Sequence, residues 1–189
     1  MQFHLNGFQT GNPEENNGKN SIRNPPRMRN LTEKADVLIV GCGPAGLTLA
    51  AQLSKFSDIK TVIVEQKEDK LLLGQADGVA CRTMEMFEAF GFSDKVLKEG
   101  YWVNETVFWK PDDKNPKNII RSSKIQDTED GLSEFPHMVL NQARVHDFYL
   151  DLMENSPTGL KPDYSRRLVS MEINSEMNGA NDFPVTATL

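Results

Sequence analysis

Asp77 is the residue in this chain best placed to do acid–base chemistry. It sits in Gly-Gln-Ala-Asp-Gly-Val-Ala-Cys-Arg-Thr, residues 74 to 83, between small residues that would let a ligand approach its carboxylate, and Arg82 follows five positions later. A carboxylate held there can take a proton from a bound hydroxyl, and Arg82, at the start of a helical pattern where a basic residue opposes the dipole, suggests a nearby anion. Asp-Gly is also a common turn pair, so spacing alone leaves a simple turn open. Some thirty residues upstream, Gly41-Cys42-Gly43-Pro44-Ala45-Gly46 forms a complete GxGxxG. Gly41 permits the tight turn, Gly43 lets backbone approach a pyrophosphate, and Gly46 lets a helix pack close on a strand. Glu65, nineteen residues past Gly46, is spaced to accept from ribose hydroxyls. An acid at that place favours the unphosphorylated ribose of FAD or NAD over NADP.

These residues need particular elements to hold them. Asp36 to Val40 is a short apolar run that reads as a buried parallel strand, Leu47 to Phe56 as a helix, and Thr61 to Val64 as a second buried strand ending at Glu65. Together they make a right-handed βαβ unit whose helix N-terminus offers free N–H groups to phosphates. Arg82 to Phe90 reads as a helix stopped by Gly91, with Met86, Phe87 and Phe90 on one face. Tyr101 to Lys110 reads as a strand and Pro111 to Gly131 as a polar hairpin or loop. Asn141 can cap a helix from Gln142 to about Glu154 with Val145, Phe148, Tyr149, Leu152 and Met153 facing the core and His146 turned away. Arg166 to Ile173 and Pro184 to Leu189 suggest a final hairpin, Trp102 and Trp109 read as core or interface aromatics, and Cys81 as a packing cysteine.

Composition narrows the class. The chain has 189 residues, 38% hydrophobic and 25% charged, enough for a domain with a real core. A net charge of −6 without a basic stripe argues against nucleic acid as the main partner. Cys42 and Cys81 lack metal-ligand spacing and fit a reduced, cytoplasmic protein, and no apolar run approaches a membrane span. Residues 1 to 34 are expected to be a strap and flexible linker, because Asn, Gly, Pro, Glu and Arg dominate from Gln9 to Asn30. The ending at Val185 to Leu189, within an alternating strand pattern, leads us to expect an incomplete chain.

Ala35 to Gln66, Gly74 to Phe92 and Val139 to Arg144 resemble the FAD-dependent aromatic hydroxylases, the class of p-hydroxybenzoate hydroxylase and phenol 2-monooxygenase, as do Met1 to Phe8 and Asp127 to His137. The resemblance implies an α/β fold: a Rossmann-like FAD-binding βαβ unit with added β-hairpins and helices, an incomplete glutathione-reductase-type flavoprotein fold. Residues 35–189 would be the N-terminal part of the FAD-binding domain with the first substrate-domain elements. It implies that Gly41, Gly43, Pro44, Ala45 and Gly46 meet the FAD pyrophosphate and Glu65 the adenosine ribose, with Gln66 and Lys67 beside it. The loop of Gly74, Gln75, Ala76, Gly78 and Val79 would pass the flavin, and Arg82 and Gln142 would hold its diphosphate and ribityl regions. Asp77 would be the base for a phenolic proton, and His137 would meet the substrate carboxylate or ring substituents. The implied reaction is hydroxylation of a phenolic acid of the 3-hydroxybenzoate type with NADPH and O2, by an enzyme that could be a homodimer at full length. The alternatives are a non-catalytic FAD-binding remnant or interaction module, and an NAD-dependent oxidoreductase.

Overall fold

In a computed structural model, residues 31–177, 179 and 182–189 are described, together with the backbone of Phe3, His4, Gly7 and Phe8. Most of the expected strap and linker therefore lies outside the described residues. Within it, β1 (Phe3–His4) and β2 (Gly7–Phe8) pair antiparallel, Phe3 opposite Phe8. Contacts divide the chain into two units, Met1–Thr10 with Leu73–Val145, and Gly11–Leu72 with His146–Leu189.

The second unit contains the βαβ element. β3 (Val37–Val40) and β4 (Thr61–Val64) run parallel with Val37 opposite Thr61 and Val40 opposite Val64. Between them α1 (Pro44–Leu53) begins with proline in its first turn, where a missing N–H costs nothing. Leu47, Ala50 and Ala51 form its buried side. The helix ends at Leu53 rather than Phe56, and Phe56 is exposed.

Both strands were expected to be buried on both faces, and only the inner half of β4 meets that. Ile63 and Val64 are fully buried, whereas Val40 is half exposed and Leu38 is exposed. Leu38 and Val40 share one face of β3 and alternate with the buried Ile39, so that face is uncovered among the described residues. Val64 makes a parallel bridge to Asp163 on its other side, supported by Glu65 N donating to Asp163 O (2.9 Å) and Asp163 N to Ile63 O (2.9 Å). β4 is thus interior and β3 lies at an edge among the described residues. Residues 163–166 extend the ladder before the chain reaches β10 (Ser170–Ile173), which pairs antiparallel with β11 (Val185–Thr188). Arg166 and Arg167 precede that hairpin, and Arg166 N donates to Glu65 O (2.9 Å).

In the other unit, β9 (His137–Val139) is the central strand of an antiparallel sheet between β5 (Gly78–Val79) and β6 (Tyr101–Val103). α2 (Cys81–Phe90) packs with α3 (Ser93–Glu99), a short helix the sequence pattern did not indicate. Gly91 between them takes φ 82°, a left-handed C-cap that glycine adopts without strain. Val79, Met84, Phe87, Phe92, Val96, Met138 and Leu140 are buried here. Each such side chain stabilises the unit by ~1.5–3 kcal/mol. Met86 and Phe90, expected on the inner face of α2 with Phe87, are only half-buried.

The strand expected over Tyr101 to Lys110 breaks at Asn104 into β6 and β7 (Glu105–Pro111), because the two halves have different partners. β6 pairs with β9, and β7 forms a hairpin with β8 (Ile119–Gln126). Trp102 and Trp109 are 51% and 64% exposed, so neither is a core residue.

The division between units falls within α4 (Gln142–Glu154). Asn141 caps it as expected, its Oδ1 accepting from Ala143 N at 2.8 Å. His146 is a correction: it is 5% exposed rather than turned to solvent, because the helix is buried on every side from Ala143 to Tyr149. Cys81, read as a packing cysteine, is half-buried.

Candidate functional site

The predicted nucleotide residues come together in the unit built on β3, α1 and β4. Gly41 has φ 103°, a conformation that strains any residue with a Cβ, and its N–H donates to Val64 O at 2.7 Å. A Cβ on Gly46 would stand 2.1 Å from Gly41 O, so the turn and the helix close on each other only with glycine there. At Gly43 the opposite holds: nothing lies within 4 Å of a Cβ position, and Gly43, Pro44 and Ala45 are exposed. Gly43 is the extended N-cap of α1 and supplies no side-chain cap, so the first-turn N–H groups face an open approach.

Glu65 closes this turn from the end of β4. Its Oε2 accepts from Cys42 N at 2.8 Å and its Oε1 from Lys67 N at 3.0 Å. Each oxygen keeps a lone pair for a ribose hydroxyl. Gln66 and Lys67 are exposed beside it. Cys42 is buried, and burial with the neighbouring Glu65 carboxylate pushes its thiol pKa up to about 12. Farther into the unit, Lys70 Nζ pairs with Asp147 Oδ1 at 3.0 Å, and Thr48 Oγ1 and Tyr149 OH share a 2.8 Å hydrogen bond. Burial lowers the His146 pKa, against Asp147, which raises it. The exposed N-terminus of α1, the turn left open at Gly43 and the Glu65 carboxylate beside it fit the pyrophosphate and ribose of a dinucleotide.

The other predicted residues belong to the sheet unit. The loop before β5 is pinned at two points: Gln75 N donates to Gln142 Oε1 at 2.9 Å, and Leu140 N to Asp77 O at 2.7 Å. Gly74 is required here, since its Cβ would lie 2.5 Å from Gln142 Cβ and 2.9 Å from Gln142 N. Gln75, Ala76 and Gly78 are exposed, and Val79 turns its side chain into the core. The half-buried Asp77 carboxylate has no hydrogen-bonding or ionic partner among the described residues. Arg82 is 91% exposed at the start of α2, 3.5 Å from Glu85 Oε2.

His137 opens β9, and its Nδ1 lies 2.8 Å from Asp127 Oδ2. Its Nε2 would touch a Cβ on Gly78 at 3.4 Å, which sets the ring edge beside the loop of Asp77. Sequence reasoning did not single out Asp127. No local pattern could have: ten residues separate it from His137, and the register of β6 and β9 with the end of β8 brings them together.

Residues 34–181 match the FAD binding domain family. The chain is 60% identical over all its 189 residues to 3-hydroxybenzoate 4-monooxygenase of Comamonas testosteroni, and covers 29% of that protein. It is 34% identical over 161 residues, 82% of the chain, to the FAD-dependent monooxygenase terD of Aspergillus terreus, covering 25% of it. The chain thus spans under a third of the length of these curated relatives. Among solved structures, aklavinone-11 hydroxylase in complex with FAD and aklavinone superposes with TM-score 0.60 at 22% identity, over 84% of this chain and 30% of that one. p-Nitrophenol 4-monooxygenase of Pseudomonas putida gives TM-score 0.59 at 19% identity, over 73% and 33%. The glycine turn, the acid after β4 and a family match over most of the length have one reading in common: this chain belongs to the FAD binding domain family, with the α/β flavoprotein fold.

Proposed function

We propose that the protein is the FAD-binding part of an aromatic-ring monooxygenase that hydroxylates a phenolic acid of the 3-hydroxybenzoate type with NADPH and O2. In this reading residues 35–189 are the N-terminal part of the FAD-binding domain with the first elements of the substrate domain. The observation that carries it is the Asp77 carboxylate, unpaired among the described residues, on a loop fixed by Gln142 and Leu140.

Each residue then has a physical task. Gly43 and the first-turn N–H groups of α1 bind the pyrophosphate, and Glu65 accepts from the adenosine ribose. The backbone of Gly74 to Val79 passes the flavin, with Gln142 holding the loop and its amide nitrogen available to the ribityl region. Arg82, extended from α2, meets the diphosphate. When bound, FAD supplies the oxygen-transfer chemistry, with NADPH as reductant and O2 as oxidant. Asp77 takes the phenolic proton, leaving a phenolate whose ring carbons are far better nucleophiles, an effect of ~10²–10⁴-fold for a placed general base. His137 meets the carboxylate or ring substituents of the substrate.

The test is direct. The purified protein should carry a flavin absorption band, and a hydroxylation-competent form that contains it should oxidise NADPH in the presence of 3-hydroxybenzoate, giving a dihydroxylated product. Flavin binding without turnover would leave a binding module, and tight NAD binding without flavin would replace the reading with a dehydrogenase.

A further inference from the structure

The carboxylate behind His137 has no task in the reaction as assigned above. Asp127 follows β8, and its N–H donates to Asn104 O at 3.1 Å, which ties it to the turn between β6 and β7. Its side chain is 19% exposed and that of His137 32%, with Oδ2 and Nδ1 2.8 Å apart. An ionised carboxylate only accepts, so a hydrogen bond at this distance needs the proton on Nδ1. The opposite ring nitrogen, Nε2, is the one beside Gly78, the residue after Asp77. The ring is further fixed by its backbone, which pairs with Val103 on β6 while the next two residues of β9 pair with β5.

We propose that Asp127 is a positioning residue for substrate recognition: it holds the His137 imidazole with the proton on Nδ1, so that Nε2 is presented to the substrate at the Asp77 loop. A ring nitrogen in contact with a carboxylate has its tautomer and its orientation set by that partner. Without Asp127 the ring could rotate or exchange its proton, and Nε2 would no longer meet the substrate in one defined form. Gly78 contributes by leaving that edge open, since any larger residue would put its Cβ against Nε2. The proposal rests on the reading of His137 as a substrate residue, and its test separates the two.

Long-range proton–nitrogen correlation spectra of the ¹⁵N-labelled protein, at a pH where imidazole is neutral, report which ring nitrogen carries the proton. His137 is assigned by the signal lost in His137→Gln. The parent should show Nδ1 protonated and Nε2 bare, and Asp127→Ala should move His137 to the Nε2-protonated form. Asp127→Asn, close in shape and able either to accept from Nδ1 or to donate to it, should give a mixture. It carries the test if the alanine variant does not fold. In flavin-loaded protein, Asp127→Ala should weaken 3-hydroxybenzoate binding by ~10-fold, the upper scale of one neutral hydrogen bond, because bare Nε2 can only accept and so meets the hydroxyl of the substrate rather than its carboxylate. A parent with Nε2 protonated, or a tautomer unchanged in both variants, overturns the positioning role. Unchanged 3-hydroxybenzoate binding in His137→Gln, with the tautomer still set by Asp127, overturns the substrate reading instead.

Discussion

The Cys42 N–H donates to Glu65 Oε2 at 2.8 Å across the glycine turn, so the carboxylate expected to serve a ribose also fastens the turn expected to serve a pyrophosphate. The same carboxylate accepts from Lys67 N through its other oxygen. Removing it should therefore affect both the shape of the turn and the nucleotide contact. Glu65→Gln keeps one carbonyl acceptor and should retain the fold with weakened flavin binding. Glu65→Ala should lose both hydrogen bonds and most of the bound flavin, at ~1–3 kcal/mol for a charge-assisted bond left unmade. Flavin fluorescence on titration would check this; equal affinities in both variants and the parent would refute it.

Gly46→Ala tests the other side of the turn. Its Cβ would fall 2.1 Å from the backbone oxygen of Gly41, which no rotation of a side chain can relieve. The helix must shift off the strand, and overpacking of this kind costs ~1–3 kcal/mol. Gly43→Ala meets no such contact and should fold like the parent. Chemical denaturation separates the two variants, and flavin titration should show Gly43→Ala losing affinity if backbone approach to the pyrophosphate is what that glycine serves.

Cys42 predicts a pH effect whose sign follows from its burial. Burial, and then the neighbouring Glu65 carboxylate, raise the folded thiol to about 12 from its ordinary 9.0. Between those values the unfolded chain releases the proton and the folded one keeps it, so the unfolded state gains. The stability contribution is present in full below pH 9 and falls as pH rises toward 12, by up to ~1.4 kcal/mol per pH unit. Denaturation curves at pH 8 and about 10.5 should show a smaller loss for Cys42→Ala than for the parent, the difference isolating this thiol from other groups that titrate there. Equal losses would mean that Cys42 titrates normally in the folded protein.

The βαβ unit was legible because its signals are local: an apolar run, a glycine turn and a second run lie within thirty residues, and the acid follows at fixed spacing. The C-cap at Gly91 and the N-cap at Asn141 were legible for the same reason, since each acts on its own helix. What escaped depends on partners distant in sequence. Val40 is exposed with Leu38 because nothing among the described residues covers that face of β3, and the break at Asn104 follows from β6 and β7 choosing different strands. Trp102 and Trp109 carry the residue type of a core but stand on strands that leave them exposed. At the candidate site the sequence singled out Asp77 and His137 individually, while their common setting, with Asp127 behind the histidine and Gly78 before it, required the register of three strands.

Gly74→Ala asks whether the loop that carries Asp77 must keep its place. Its Cβ would meet Gln142 Cβ at 2.5 Å and Gln142 N at 2.9 Å, and the latter is backbone that cannot turn aside. The loop should move, breaking the hydrogen bond from Gln75 N to Gln142 Oε1.

Asp77→Ala, by contrast, removes a carboxylate with no partner among the described residues and should leave that hydrogen bond intact. The two substitutions thus separate position from chemistry. Asp77→Ala should bind flavin like the parent and slow hydroxylation by ~10²–10⁴-fold at neutral pH. Much of that loss should return as pH rises toward the ~10 expected of a phenol such as tyrosine, where the substrate ionises without help. Gly74→Ala should lose rate at every pH, because ionising the substrate does not restore the loop. Rate measurements across pH in a hydroxylation-competent form decide the matter. If Asp77→Ala turns over as fast as the parent, Asp77 is not the base.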